Sequence, residues 1–402
     1  AITEGIVNLG IVALPGFGSS SSYTLLSAPS GLSGATYALT SAPGGYTYSL
    51  STTDTAVSLN VTPKSAGDLY WRGNTGNSWS AIDFSGDTNW YVNASGTTNA
   101  QASPGAGDTV VFSSVNASSP GTLITTTLDN NYTVNDLVFS SDPNGITSVT
   151  VAGGLTPASV TGILTITPSA SADGVLVGNN AGNVTISAPV ILGAEQTWTV
   201  NGSGANGSAL TVSGGIAGTS ALNINGLVSI SGASGTSTYS GATIVPSGSI
   251  LQGGAGNSFS ANSAVTVNGT GIVRINGNNN AIGSLAGTGF VENNHAATGS
   301  TLTAGADGTN TTFSGILRNG GAANLGFTKT GTGTLTLSGA STHSGTTLVN
   351  GGNGGVDITG TGAGTITSGT EGVFAAITSG SNAGNIGIDI QQDIKSGTTG
   401  IS

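Results

Sequence analysis

The stretch that decides the fold is Thr328 to Gly351, TKTGTGTLTLSGASTHSGTTLVNG. Thr332, Thr334, Thr336 and Ser338 alternate with Gly333, Leu335 and Leu337. That is the period-2 pattern of a strand with one hydroxyl face and one apolar face. Gly339-Ala340-Ser341 breaks the run, and Gly345 marks a second turn before the short strand Thr346 to Val349. Gly351-Gly352-Asn353-Gly354-Gly355 closes the unit. Strands of three to five residues between glycine corners suit a chain that turns every few residues and stacks on itself, as a parallel β-helix does.

The stretch has a partner in Leu227 to Gly254, LVSISGASGTSTYSGATIVPSGSILQGG. Ser231-Gly232-Ala233-Ser234 matches Ser338-Gly339-Ala340-Ser341, and Thr238-Tyr239-Ser240-Gly241 matches Thr342-His343-Ser344-Gly345. Thr243-Ile244-Val245 matches Thr347-Leu348-Val349. Extra residues at the first corner of the earlier copy fall where solenoids tolerate insertions. The GTGTLTLSGA…T-x-SG-T-T-L-V-NGG pattern resembles the passenger-associated repeat of bacterial autotransporter proteins. Ser284 to Gly289 and Thr312 to Gly315 resemble segments that flank it. The motif-level likeness covers 228–351, with a looser compositional likeness beyond. It implies an all-β fold, a right-handed parallel β-helix, and an extracellular or bacterial cell-surface location. It leaves activity open, because the family hosts adhesins, proteases and plain stalks.

The chain has 402 residues, 69 of them Gly, with only 6% charged and 5% aromatic. The length alone suggests two or three globular domains, but a repeat protein grows in one dimension and escapes that count. Disorder is the competing reading of a Gly/Ser/Thr-rich chain. The alternating Val, Ile and Leu and a mean hydropathy of +0.18 oppose it. There is no Cys, hence no disulfide framework, and no Met even at position 1, so the chain reads as a mature or excised segment. No apolar run reaches transmembrane length, so no membrane insertion is expected within these residues. A net charge of −11, with six scattered Lys and Arg, argues against nucleic acid.

In chain order, residues 1–62 read as a β-rich closing segment that stands, unusually, first, and 63–67 as a linker. Residues 68–112 form an aromatic-rich module start, in which Trp71, Trp79 and Trp90 lie close together. They plug the end of an apolar stack, or they offer ring faces to a glycan. Asp83, Asp87 and Asn89 carry oxygens at a spacing calcium could use, but they lack the glycine and distal glutamate of a calcium loop, which favours an Asx-turn. Residues 113–355 read as the parallel β-helix, with repeats at 227–254 and 328–351, and 356–402 as C-terminal coils. Strands recurring every ten or so residues would also serve a β-sandwich. The unbroken run into the repeat favours the helix. Its coils, about 4.8 Å apart, would make a rod on the order of 70–100 Å long.

Catalysis finds little footing. A nucleophilic triad needs a base, and only His295 and His343 exist. His343 occupies the position of Tyr239 in the other copy, which marks it as a corner residue. Glu292 and His295 would suit a metal pair only on a helix, and no helical pattern surrounds them. A polysaccharide hydrolase or lyase needs two or more carboxylates, or carboxylates with Lys or Arg, gathered on one face; the acids are dispersed along the chain, though stacking can bring distant positions together. Three charged side chains converging within about 6 Å in a groove would favour that enzyme. No cofactor motif, metal site or catalytic residue is read.

The expected function is therefore structural. Residues 397–402 run on into residues 1–5 as one alternating strand, and an uncapped solenoid end is a template for another strand. The expectation is a head-to-tail homopolymer, with Ile2, Ile6, Val7, Leu9, Ile11, Ile394 and Ile401 as interface candidates. A chain that is one repeat of a larger tandem protein is the alternative at that join. The rival function is a glycan-binding adhesin.

Overall fold

The computed structural model describes residues 5–12, 21–113, 123–140, 148–154, 161–170, 172–202 and 209–350. It adds the backbone of three further strands, Val356–Ile358, Ile366–Ser368 and Val373–Ala375. Among the described residues the only helical element is the 3-10 turn Leu32–Gly34; everything else regular is β-strand. The chain forms two units, Ala1–Gly214 and Gly215–Ser402.

The first unit opens with a three-stranded antiparallel sheet of Ser21–Ser27, Tyr46–Thr52 and Ala56–Pro63. Strict alternation in Ala56–Pro63 turns Val57, Leu59 and Val61 inward, all at most 2% exposed. Ile6–Gly10 lies parallel to Thr36–Ser41 beside it. Residues 63–67, expected to be a linker, are tied down. Asp108 accepts from Lys64 Nζ at 2.6 Å and from the Gly67 N–H at 3.0 Å, and the Lys64 N–H donates to the Gly45 carbonyl.

Asp68–Trp71 still pairs antiparallel with Trp90–Tyr91; from Thr109 onward the described strands stack in parallel. Thr109–Phe112, Asp136–Phe139, Val175–Val177 and Gln196–Val200 form one ladder. Leu123–Leu128, Ser148–Gly153, Asn183–Ile186 and Ala209–Val212 form a second, and Tyr132–Val134, Leu164–Ile166 and Val190–Leu192 a third. The chain visits the three in rotation, so each coil contributes one short strand to each face. Parallel pairing in register, rather than hairpins, rules out the β-sandwich. Because the strands alternate, one residue in two points inward, and Val110, Leu137, Val175, Leu164 and Ile186 are all fully buried. Each such aliphatic side chain contributes about 1.5–3 kcal/mol of transfer free energy as an upper bound.

The second unit repeats the scheme. One ladder runs through Thr243–Val245, Ala264–Val267, Ser284–Gly287, Thr311–Phe313 and Leu335–Leu337. A second runs through Leu227–Ile230, Ile250–Gly253, Ile272–Arg274, Phe290–Asn293 and Ile316–Gly320. A third holds Asn280–Ile282, Ser300–Ala304, Leu325–Thr330 and Thr347–Asn350. Val265 sits on Thr243 and Leu285 on Val265, a coil of about twenty residues. The alternating apolar residues Ile224, Val228, Ile230, Val265, Val267, Leu335, Leu337 and Val349 are all buried.

The two repeats do not occupy the same faces. The first strand of the later copy, Leu335–Leu337, stands in the ladder that holds the second strand of the earlier copy, Thr243–Val245. The repeat therefore specifies strand, corner and strand, and is threaded onto the faces one step further round. Three similar faces make this possible, since each asks only for alternation.

Candidate functional site

Four places gather polar or aromatic chemistry. The first is the aromatic group of residues 68–112. Trp90 lies edge-on to Trp71 and to Trp79, each pair with centroids 5.0 Å apart, and Tyr132 is 5.0 Å from Trp79. All three tryptophans lie 6.4 Å from Phe112, which stacks on Phe139 of the next coil at 5.1 Å. Two of the indole N–H groups are satisfied internally, Trp79 donating to Thr126 Oγ1 at 3.0 Å and Trp90 to the Trp79 carbonyl at 2.9 Å. Trp71, Trp79 and Trp90 are 3%, 0% and 0% exposed. No ring face is open to a sugar, so the glycan-contact expectation for these residues is corrected. Aromatic area is placed where the apolar interior of the stack needs covering.

The second place is the loop at Asp83. Asp83 Oδ1 accepts from the N–H groups of Ser85 and Asp87, and the Asp83 N–H donates to the Asp87 carbonyl. That is an Asx-turn. Asn89 points away and is buried, bridging the Thr75 N–H and the Ser78 carbonyl. The three oxygens do not converge on a cation. Among the described residues no three His, Asp or Glu side chains gather as metal ligands.

The third is the repeat corner. Tyr239 and His343 each replace a strand on one face, and each ring turns inward. The Tyr239 hydroxyl is 2.8 Å from Thr243 Oγ1, and His343 Nε2 is 2.8 Å from Thr347 Oγ1. Both corners are anchored alike. The N–H groups of Thr238 and Tyr239 donate to the Ile216 carbonyl, and those of Thr342 and His343 to the Leu317 carbonyl. Burial lowers the His343 pKa from its ordinary value, against a smaller opposing effect from the Leu317 carbonyl. His343 Nδ1 has no partner. His295 is a loop organiser, its Nδ1 accepting from the N–H groups of Ala297 and Thr298.

The fourth was not legible in the sequence. Register places Glu292 between Arg274 on one neighbouring strand and Arg318 on the other. Arg274 donates to Oε1 from Nε and Nη2, both at 2.8 Å, and Arg318 to Oε2 from Nη2 at 2.6 Å and Nε at 2.9 Å. The Arg318 guanidinium also lies 4.0 Å over the Phe290 ring. Charged groups thus converge here. Three charged side chains gathered by stacking are what the polysaccharide-enzyme alternative asks for, and here both oxygens of the one carboxylate are taken up by the guanidiniums.

Of the interface candidates, Ile6 is 51% exposed, and Val7, Leu9 and Ile11 lie on or just past the strand Ile6–Gly10. Ile2, Ile394 and Ile401 lie outside the described residues.

With this geometry described, comparison with known families adds one match. The passenger-associated-transport-repeat model covers residues 327–353. The chain carries an autotransporter passenger repeat. The match falls on the strand–corner–strand unit that contains His343, and it supports reading the chain as part of a passenger domain, a class that is secreted or surface-exposed. No curated protein and no solved structure matches the chain.

Proposed function

We propose that this chain is a non-enzymatic structural protein of the extracellular or cell-surface kind, whose subunits join head to tail into a filament. One observation carries the reading. Among the described residues the strand Ile6–Gly10 pairs on one edge only, with Thr36–Ser41, and its other edge carries free backbone donors and acceptors. Such an edge is a template for a strand from another chain, and a heterologous contact of this kind does not close on itself. Among the described residues the backbone strand Val373–Ala375 of the second unit is likewise outermost in its sheet, an edge of the complementary kind. A chain with only 6% charged residues suits a spacer or coat.

The test is removal of residues 1–12, followed by electron microscopy and a thermal melt by circular dichroism. Loss of filaments with an unchanged melt is the expected result. Long filaments from the shortened chain would refute the reading.

A further inference from the structure

Outward positions of stacked strands form ladders too, and two of them are complementary. In the second unit, Leu227, Ile250, Ile272, Phe290 and Ile316 lie one on the next along the outer side of their sheet. Inward residues of the same strands, such as Val228, Leu251 and Val273, fill the core. The five outer residues are large, apolar and partly exposed. Beside them, two residues along each strand, runs the ladder that ends in Arg274, Glu292 and Arg318. Two guanidiniums against one carboxylate leave a surplus positive charge, in a chain that has only six basic residues.

In the first unit, Tyr70, Val111, Val138 and Leu176 form an apolar ladder on another sheet, of which Tyr70, Val138 and Leu176 are partly exposed and Val111 is buried. Beside it, again two residues along, stand Asp68, Thr109 and Asp136. Asp68 is exposed. The Asp136 pKa is raised by burial and by the like charges of Asp68 and Asp173, despite hydrogen bonds from Thr109 and Asn135. Asp136 itself is buried, Asp68 carries the exposed charge, and among the described residues neither forms an ion pair with Lys or Arg.

The two surfaces match in kind and in period. Each sets an apolar row beside a charged row, the charges have opposite sign, and both rows repeat at the strand spacing of about 4.8 Å. Opposite potentials on matched patches set register and suppress wrong pairings. We infer that the acid-flanked ladder of one copy docks on the arginine-flanked ladder of a second copy, giving a side-by-side contact between chains. It is independent of the head-to-tail contact, since it uses neither Ile6–Gly10 nor Val373–Ala375.

The experiment uses the full chain in sedimentation velocity over a range of concentrations, at low and at physiological salt. Asp68→Arg reverses one surface and Arg318→Glu the other. Each variant alone sets like charges against each other and should associate about tenfold or more weakly than the parent. In an equimolar mixture the intact arginine surface of Asp68→Arg meets the intact acid surface of Arg318→Glu, and the two reversed surfaces also match each other, so association should recover. Ile272→Ser, which leaves every charge in place, weakens association if the apolar row is buried in the contact, and melts by circular dichroism verify that each variant is folded. A parent that stays monomeric throughout, single variants that associate like the parent, or a mixture that fails to recover each overturns the inference. Electron microscopy separates the two contacts. Asp68→Arg filaments should persist singly where parent filaments bundle, whereas failure of the head-to-tail reading alone removes filaments and leaves the salt-sensitive association.

Discussion

Gly345 stands at the corner of the repeat, and replacing it with alanine measures how closely the coils stack. Its backbone φ is ordinary, so alanine carries no conformational penalty there. The added Cβ, however, would lie 2.3 Å from the Leu325 carbonyl oxygen and 2.7 Å from the Gly326 nitrogen, both backbone atoms of the preceding coil. Relief requires a shift of roughly 1 Å, and overpacking of this sort costs about 1–3 kcal/mol. The same Leu325 oxygen accepts the Gly345 N–H at 3.0 Å, so the shift also weakens a hydrogen bond of about 1 kcal/mol. Against this, alanine restricts the unfolded chain and returns about 0.4–1 kcal/mol. The net is a destabilisation of about 1–3 kcal/mol, which for a unit of this size lowers the melting temperature by roughly 2–10 °C. Gly256 is the control, because a Cβ there meets nothing nearer than the Asn279 oxygen at 3.9 Å. Gly256→Ala should leave the melt unchanged or raise it. Paired thermal melts by circular dichroism decide the matter: a Gly345→Ala protein that melts with Gly256→Ala refutes the close-stacking argument.

Three further outcomes are expected. His343 is held neutral by burial below its ordinary value of 6.5, so its contribution is fully present above about pH 6.5. It is lost as pH falls from there toward the folded-state value, at up to about 1.4 kcal/mol per pH unit; melts of His343→Tyr, which installs the ring of the other copy, should show less acid sensitivity than the parent. Trp79→Ala empties the centre of the aromatic group and should cost about 3–5 kcal/mol in urea unfolding of the first unit. Asp108→Asn removes the charge that holds Lys64, whose ammonium is the partner at 2.6 Å, and should speed limited proteolysis within residues 63–67.

Alternation and glycine corners are local, so the sequence by itself determined the strands, their inward faces and the stacking habit. Leu335 and Leu337 are buried because every second position of a short strand must face the same side. The equivalence of Tyr239 and His343 was equally legible as a pattern, though that both rings turn inward onto a threonine four residues on was not. What only the tertiary structure decided depends on register between coils. Glu292 meets Arg274 and Arg318 because the residues in each intervening corner bring those three positions into one column; a single residue more or fewer would turn each side chain to the opposite face. The fate of Trp71, Trp79 and Trp90 was undecided for the same reason, since whether an aromatic ring meets solvent or Phe112 is settled by which coil lies beneath it. Spacing along the chain sets the period of this protein, and the corner lengths set which side chains become neighbours.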